Sequence, residues 1–348
     1  MLLTLDALDL FAGAGGLSLG LEAAGFSVVG AIEVDADACA TYRANHPRAA
    51  VLEGDIAGID FRAWRGIALI AGGPPCQPFS VGGKRLAAGD ARNGIPEFVR
   101  AVSEASPEAF LLENVAGLTA GAKRAYLLEV LDQFEALGYV VAWQVLQAAD
   151  YGLPQLRRRL FVVGTKGRRT AVRFRFPAPA HAREWASAGT VLDPRRPAGE
   201  PNNAIITYAR HPSLRPGPYH GHLYNGGGRP IELARPAPTL LASMGGNKTP
   251  WVDTLGIVPH YHAHLLAGGA PREGLVPGAR RITVEEAARL QGFRPGTFFS
   301  GGRSSRYRQV GNAVPPPLAE SLGQAVKEHL ARRPRYAARL GGQARRPG

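Results

Sequence analysis

Short apolar stretches alternate with helix-like segments along the first 165 residues of the chain. The predicted strands are 5–11, 27–32, 50–52, 65–70, 109–112, 139–147 and 160–164. The predicted helices are one that opens at Leu17, then 36–45, 95–104 and 122–137. Strands that alternate with helices are typical of an α/β fold, so the pattern predicts a mostly parallel sheet wrapped by helices.

The pattern changes after Gly164. Residues 166–280 are rich in Pro, Gly and Arg and contain few periodic segments, although basic and apolar residues alternate over 168–176 as in a strand. Six aromatic residues could form a small core in this part: Trp185, Tyr208, Tyr219, Tyr224, Trp251 and Tyr261. We therefore expect a second, loop-rich domain rather than a disordered segment.

Regular structure returns near the end of the chain. Thr283 is the expected N-cap of a helix over 283–291, and Glu286 completes a capping box. A last helix is predicted over 318–330. The tail, 331–348, holds six arginines and no acidic residue, and we expect it to be disordered.

The net charge of +13 is unevenly distributed. Residues 1–150 have a balance of −8, whereas residues 151–348 have a balance of +21. Clustered arginine commonly contacts phosphate, so the second half is predicted to bind nucleic acid. A solvated basic surface in an arginine-rich proteome remains the alternative.

Targeting signals and cysteine use favour a cytoplasmic protein. No apolar run has the length of a membrane helix, and the first residues do not resemble a signal peptide. The two cysteines have no His pair at ligand spacing, so we expect neither a zinc site nor a disulfide. Cys39 lies in a helix-like segment and is expected to be buried. Cys76 lies in a loop stiffened by prolines and is a candidate nucleophile.

A glycine turn, 12–16, follows the first strand, and Glu33 comes about twenty residues later. This arrangement is typical of nucleotide-binding sites, including those of dehydrogenases. Several candidate residues follow predicted strands and should meet at the carboxyl edge of the sheet: Phe11, Glu33, Asp55, Cys76 and Glu113.

Seven short motifs occur in order along the chain. They are 9–16 (DLFAGAGG), 73–77 (GPPCQ), 113–115 (ENV), 155–159 (QLRRR), 235–239 (RPAPT), 289–293 (RLQGF) and 311–315 (GNAVP). Together they resemble the motifs of the C5-cytosine DNA methyltransferase family, of the bacterial modification type, over roughly residues 5–330.

The resemblance implies an α/β fold with a Rossmann-like, S-adenosylmethionine-dependent methyltransferase sheet and a smaller, loop-rich DNA-recognition domain. It divides the chain into a catalytic and cofactor-binding domain (1–165 plus 309–330), a target-recognition domain (166–308) and the disordered basic tail (331–348). The last helix should then pack back on the first domain.

The resemblance also implies the chemistry. Cytosine C5 is a poor nucleophile, so the Cys76 thiolate would first add at C6 of a flipped-out base. Glu113 would meet ring N3 and the 4-amino group. By the same resemblance Arg159 contacts the target nucleotide and Arg157 helps to hold the site. The residues assigned to the substrate are Gln77, Ser80 and Gln155.

The implied cofactor is S-adenosyl-L-methionine, with S-adenosyl-L-homocysteine as product. Phe11 would cover it, Glu33 would bind the ribose hydroxyls and Asp55 the adenine amino group. The other assigned positions are Ala12, Gly13, Gly15, Gly16, Leu17, Val34, Ile56, Pro74, Asn312 and Ala313. The family often has an aromatic residue where this chain has Val34, so we expect weaker stacking in an intact pocket.

The expected partner is double-stranded DNA. We expect the protein to bind it as a monomer and not to associate with a membrane. The modification role implies a cognate restriction endonuclease that shares the DNA site but need not bind the methyltransferase. The enzyme would be cytoplasmic in a bacterium and nucleoid-associated when bound to DNA.

Three alternatives stay open: a tRNA cytosine-5 methyltransferase, a non-catalytic DNA-binding protein and a nicotinamide-linked oxidoreductase. For base reading we expect a cluster within 202–229, namely Tyr208, His211, Tyr219, His220, His222, Tyr224 and Asn225 around the glycines 226–228.

Overall fold

The structure is a computed structural model that describes residues 5–76, 93–167, 172–182, 184–225 and 228–333. It divides into two compact units. The first comprises Met1–Gln147, Arg158–Pro179 and Val314–Gly348, and the second Ala148–Arg157 and Ala180–Ala313. These bounds differ from those of the predicted domains, because 166–179 belong to the first unit and both 148–157 and 309–313 belong to the second. Of the predicted disordered tail, 334–348 lie outside the described residues.

A seven-stranded sheet forms the centre of the first unit. Its strands are β1 (Asp6–Leu10), β2 (Ser27–Glu33), β3 (Ala50–Glu53), β4 (Leu69–Gly72), β5 (Ala109–Val115), β6 (Tyr139–Gln147) and β7 (Arg158–Lys166). They lie in the order β3-β2-β1-β4-β5-β7-β6. The first five run parallel, and β7 runs antiparallel to both β5 and β6. The predicted α/β class is confirmed, with an antiparallel edge that the apolar pattern does not distinguish.

Eight α-helices occur in the described residues. They are α1 (Gly16–Ala23), α2 (Ala36–Asn45), α3 (Ile95–Ala105), α4 (Lys123–Ala136), α5 (Ile257–Leu266), α6 (Val284–Leu290), α7 (Arg303–Asn312) and α8 (Pro316–Ala331). Helices α1 to α4 and α8 belong to the first unit, and α5 to α7 to the second. None of the helices in these described ranges is long and apolar enough to cross a membrane.

Helix α8 packs against α1, as the sequence predicts. A Cβ built on Gly20 of α1 would lie 2.4 Å from Ala319 Cβ, and one on Gly323 of α8 would lie 2.8 Å from Ala24 Cβ. The two glycines therefore allow the helix backbones to approach closely, which ties the end of the described chain to its beginning.

The core of the first unit lies between the sheet and its helices. Aliphatic side chains of β1, β4, β5 and β7 meet Phe98, Phe110 and Phe134 there. The rings of Phe110 and Phe134 lie 4.1 Å apart, and Phe98 meets Phe110 edge to face. This packing fixes β1, β4 and β5 side by side, so the loops at their carboxyl ends are held on a rigid base.

The second unit has two small sheets. The strands are β8 (Tyr208–Ser213), β9 (His222–Tyr224), β10 (Pro230–Ile231), β11 (Trp251–Asp253) and β12 (Ala279–Arg281). Strand β8 pairs with β9, and β11 lies between β10 and β12.

The predicted aromatic core of this unit is confirmed for five of its six residues, with Tyr219 packed against the cluster, whereas Trp185 is exposed. Tyr208, Tyr224, Trp251 and Tyr261 are buried in one cluster with α5. The Thr283 capping box at the start of α6 is also confirmed. The strand predicted over 168–176 is wrong where it can be tested, since 172–176 form no regular structure.

Candidate active site

The glycine turn between β1 and α1 requires left-handed backbone. Phe11, Gly13 and Gly15 have φ values of 56°, 55° and 80°. Glycine adopts this conformation without strain, whereas Phe11 must be held in it by its surroundings. A Cβ on Gly15 would also lie 2.3 Å from His46 Nε2, so two constraints require glycine there.

Glu33, at the end of β2, braces this turn. Its Oε2 accepts a hydrogen bond from the Gly13 N–H, and Oε1 accepts bonds from the N–H groups of Val34 and Asp35, each at 2.8 Å. A carboxylate offers about four acceptor positions, so capacity for roughly one further donor remains. The sequence predicts a ligand-binding acid here, and the structure adds that the same carboxylate orders the loop.

A cavity of about 540 Å³ lies beside the turn. Its lining residues are Phe11, Ile32, Glu33, Val34, Gly54, Asp55, Ile56, Ala57, Pro75, Asn93, Gly94, Pro96 and Glu97. Five of them are predicted cofactor residues: Phe11, Glu33, Val34, Asp55 and Ile56. This volume is in the usual range for small-molecule sites, about 300–1,000 Å³.

Other predicted cofactor residues do not line this cavity. They are Ala12, Gly13, Gly15, Gly16, Leu17 and Pro74, all in the first unit. Asn312 and Ala313, also predicted for the cofactor, belong to the second unit. Ala12, Gly15, Gly16 and Leu17 are buried in the fold and shape the turn through their backbone.

The first turn of α3 supplies a wall that the sequence prediction missed. Asn93, Gly94, Pro96 and Glu97 line the cavity from this side. The helix that follows a parallel strand begins at the carboxyl edge of the sheet, which is the signal that could have identified them.

The chemistry of the lining fits an adenosine-type ligand. Phe11, Val34 and Ile56 offer apolar surface to a planar ring, and the carboxylates of Glu33 and Asp55 can accept bonds from hydroxyl and amino groups. Val34 is 70% exposed, so the position where the family often has an aromatic side chain is open to a ligand. These residues suit S-adenosylmethionine.

A buried polar network lies behind the glycine turn. Ser18 Oγ donates to Asp9 Oδ2 at 2.6 Å and lies 2.6 Å from the Tyr42 hydroxyl. Asp9 is 1% exposed, and this burial raises the pKa of its carboxyl from 3.8 to about 7. Next to it, His46 Nδ1 lies 3.1 Å from Glu22 Oε2, and the His46 ring stacks against Tyr42. The turn therefore rests on a buried carboxyl, that of Asp9, whose protonation changes near neutral pH.

The first residues of the cysteine loop, Pro75 and Cys76, are hydrogen-bonded to the segment that leads into α3. Cys76 forms an antiparallel bridge with Asn93, and the Gly94 N–H donates to the Pro75 carbonyl at 2.8 Å. Cys76 is half-buried, which raises the pKa of its thiol, while the Lys123 ammonium acts in the opposite direction. The predicted substrate residues Gln77 and Ser80 lie outside the described residues.

Glu113 and Arg159 form an ion pair at the same edge of the sheet. Arg159 Nε lies 3.0 Å from Glu113 Oε1, and Glu113 is 8% exposed. Strand β5 extends to Val115, so Glu113 lies within the strand rather than beyond its predicted end at Leu112. Because Val115 pairs with Arg159 across the antiparallel β5–β7 ladder, Arg159 and Glu113 share one face.

The same end of β5 contacts the cysteine loop. Glu113 Oε2 lies 3.1 Å from the position that a Cβ on Gly73 would occupy. The buried Asn114 side chain donates from Nδ2 to the Pro74 carbonyl at 3.1 Å. The acidic motif is thus in contact with the loop that leads to Cys76, three residues after Gly73.

Arg157 lies in the second unit and is 1% exposed. Its Nη1 donates to the Leu240 carbonyl at 3.0 Å, and its Nη2 donates to the carbonyls of Gly311 and Ala313 at 2.9 and 3.1 Å. Gly311 belongs to the last turn of α7, where carbonyls lack intrahelical partners and a cation is favourable. Arg157 was predicted as a catalytic-site residue that helps to hold the site. Its contacts here are hydrogen bonds to backbone carbonyls, which fix the position of these backbone segments.

Gln155 belongs to the second unit and lies inside its fold. It was predicted to bind substrate, but its side chain is fully buried. Its Nε2 donates to the Leu290 carbonyl at 3.1 Å and to Gln291 Oε1 at 2.7 Å, and its Oε1 accepts from the Leu240 N–H at 3.0 Å. An amide engaged in this way fixes the protein's own backbone.

The predicted base-reading cluster separates into two groups. Tyr208 and Tyr224 are core residues, 8% and 7% exposed, because their rings pack on one another and on Tyr261. His211 and His222 are exposed on β8 and β9. Glycines 226 and 227 lie outside the described residues.

Comparison with known proteins agrees with the motif pattern. The family model for C-5 cytosine-specific DNA methylase matches residues 5–205 and 251–328. The chain is 36% identical over 327 residues to Type II methyltransferase M.NgoMIV of Neisseria gonorrhoeae, covering 93% of this chain and 97% of that one. It is also 36% identical to Type II methyltransferase M.NaeI of Lentzea aerocolonigenes, covering 94% of this chain and 76% of that one.

Solved structures share the fold. A DNA modification methyltransferase encoded within an Escherichia coli prophage superposes with a TM-score of 0.65 at 23% identity, covering 93% of this chain and 99% of that one. The Spodoptera frugiperda DNMT2 mutant structure gives a TM-score of 0.69 at 16% identity, covering 92% and 99%. With the family match over most of its length and relatives at 36% identity, the chain belongs to the C-5 cytosine-specific DNA methylase family.

Proposed function

We propose that this chain methylates a cytosine flipped out of duplex DNA, with Cys76 as the covalent nucleophile, and that it is the modification enzyme of a restriction–modification pair. The observation that supports the catalytic assignment best is the Glu113–Arg159 ion pair, 3.0 Å long, next to the Gly73 end of the cysteine loop. It brings two of the predicted catalytic side chains into direct contact.

The reaction class follows from the family. The chain is a DNA (cytosine-5)-methyltransferase, and S-adenosylmethionine is its methyl donor. The bound donor supplies an electrophilic methyl group. We assign its binding to the cavity beside the glycine turn, where Phe11, Val34 and Ile56 would contact the base, Glu33 the ribose and Asp55 the amino group.

The chain's own residues supply nucleophilic and acid–base catalysis. The Cys76 thiolate forms a bond to C6 of cytosine, the electrons of the C5–C6 double bond move to C4–C5, and those of the C4–N3 double bond move to N3, so that C5 becomes the nucleophilic carbon of an enamine. C5 would then take the methyl group from the sulfonium of the donor, which would leave as S-adenosylhomocysteine. Glu113, as a carboxylic acid, would donate a proton to ring N3 as negative charge develops there and would take it back when the thiolate leaves, while Arg159 orients its carboxyl. Loss of the C5 proton to a base then restores the double bond and expels the thiolate.

DNA contact is assigned to the arginine-rich second half of the chain, whose charge balance is +21 over residues 151–348. The enzyme is proposed to act as a monomer. A partner endonuclease would recognise the same DNA site and need not bind this chain, which would be associated with the nucleoid while on DNA. The relatives are named Type II methyltransferases, which favours DNA over the tRNA alternative.

Bisulfite sequencing of DNA from cells that express the protein tests the proposal. We expect protected cytosines at one sequence context, and no protection with Cys76→Ala or Glu113→Gln. Cys39→Ala is the matched control, because Cys39 is the other cysteine of the chain and lies fully buried on α2. Unprotected DNA with the wild-type protein, or protection that survives Cys76→Ala, would contradict the proposal.

A further inference from the structure

The surroundings of Cys76 disfavour the reactive thiolate form of its side chain. The thiolate is the nucleophile, and partial burial disfavours the charged form of a thiol. A nearby cation would offset that effect.

A short relay of contacts connects Cys76 to the first turn of α4. Cys76 pairs with Asn93 through the backbone bridge, and Asn93 Nδ2 donates to the Tyr126 hydroxyl at 2.8 Å. Asn93 is 8% exposed, and its Oδ1 accepts a bond from the Ile95 N–H at 3.3 Å. Cys76 and Tyr126 also pack on the same hydrophobic core. The Asn93 side chain therefore holds α4 beside the cysteine.

Lys123 is the first residue of α4 and lies one turn before Tyr126, so the two side chains share a helix face. The charged and titratable groups that act on Cys76 and Tyr126 from the described elements are Lys123 and Glu129 on α4, together with the two groups themselves. Lys123 is the cation among them, and its charge favours the thiolate.

We propose that Lys123 is a positioning residue for the nucleophile, whose ammonium offsets part of the effect of burial and so increases the fraction of Cys76 present as thiolate in enzyme that has not yet bound DNA. The inference rests on the proposed function in one respect, that Cys76 is the nucleophile. It adds a residue outside the family motifs, ten positions after Glu113 on the segment that leaves β5.

Alkylation of Cys76 by iodoacetamide measures this effect without DNA or cofactor. The thiolate forms a bond to the methylene carbon and iodide leaves, so the rate follows the thiolate fraction. Peptide mass spectrometry separates Cys76 from Cys39, which is fully buried and whose thiol pKa is raised to about 11 by burial. The full-length protein is used throughout.

Lys123→Met should slow alkylation by about fivefold near neutral pH and move its rate–pH curve to higher pH, as expected for loss of one screened charge. Lys123→Arg should restore the rate to within about twofold of wild type, because the charge returns. Arg124→Met is the matched control. It removes the same charge from the neighbouring, exposed position and should leave the rate unchanged.

The inference is overturned if Lys123→Met alkylates like wild type, or if Arg124→Met slows the reaction equally. Circular dichroism of each variant checks that α4 and the sheet remain folded. If the Met variant does not fold, Lys123→Gln, which also removes the charge but keeps a polar end, provides the test and should slow alkylation similarly. Failure of the proposed function would look different. The wild-type protein would then leave DNA unmethylated while the Lys123 dependence of alkylation persisted.

Discussion

Asp9 offers a sharp test of the buried network behind the glycine turn. Its carboxyl is 1% exposed, with the Ser18 hydroxyl as hydrogen-bond donor and Glu22, Glu33 and His46 as the nearby charges. Burial raises the pKa of Asp9 from 3.8 to about 7. The folded protein therefore binds a proton that the unfolded chain releases between these two pH values.

The sign and size of the effect follow from linkage. A carboxyl whose pKa is higher in the folded state than in the unfolded state lowers the free energy of unfolding as pH rises. The decrease occurs between the unfolded-state pKa and the folded-state pKa. The shift corresponds to a cost of about 4 kcal/mol above pH 7, of which roughly 2–3 kcal/mol develops above pH 5. Asp9→Asn removes this titration and keeps an oxygen for the Ser18 hydroxyl. The difference in free energy of unfolding between the variant and wild type should therefore increase, in favour of the variant, by about 2–3 kcal/mol from pH 5 to pH 9.

Urea unfolding followed by circular dichroism at about pH 5, 7 and 9 measures the difference. Asp132→Asn is the control, because Asp132 is an exposed carboxyl on α4. The difference between Asp9→Asn and wild type should grow through neutral pH and level off above it. A difference that is independent of pH, or one that shrinks as pH rises, would refute the reasoning.

Three further predictions concern the cavity and the second unit. Gly94→Ala would place a Cβ 2.7 Å from Pro75 Cδ and should weaken cofactor binding, measured by calorimetry, about tenfold. Gly117→Ala places its Cβ in open space and should leave the affinity unchanged, so equal affinities of the two variants would contradict this prediction. Val34→Phe should tighten cofactor binding about three- to tenfold by ring stacking, and unchanged affinity would argue against a ligand over Val34. Arg157→Met should lower the free energy of unfolding by about 2–4 kcal/mol, because buried carbonyls lose their donor, while the exposed Arg158→Met should change it little.

Much of the first unit could be predicted because its pattern is local. Helix α2 begins and ends where the sequence predicts, and so does β6. Glu33 and Asp55 could be found because parallel strands bring their carboxyl ends to one edge. The direction of β7 is not a local property, and the pattern of a buried strand is the same whether it runs parallel or antiparallel.

Other features depend on tertiary contacts that no short segment encodes. The α3 wall of the cavity comes from a segment without a motif. Gln155 has the polarity of a substrate-binding residue and is nevertheless buried, because Gln291 and Leu240 satisfy its amide. Helix α7 is polar along most of its length and escaped prediction, since burial of Tyr307 and Val310 rather than periodicity stabilises it.

Covalent trapping tests the central claim most directly. Duplex DNA that carries 5-fluorocytosine at the methylated position, incubated with the protein and S-adenosylmethionine, should give an adduct that peptide mapping assigns to Cys76. The fluorine cannot leave as a proton would, so the thiolate is not expelled and the bond to C6 persists. We expect this adduct with the wild-type protein and none with Cys76→Ala. Absence of an adduct, or an adduct that survives Cys76→Ala, would contradict it.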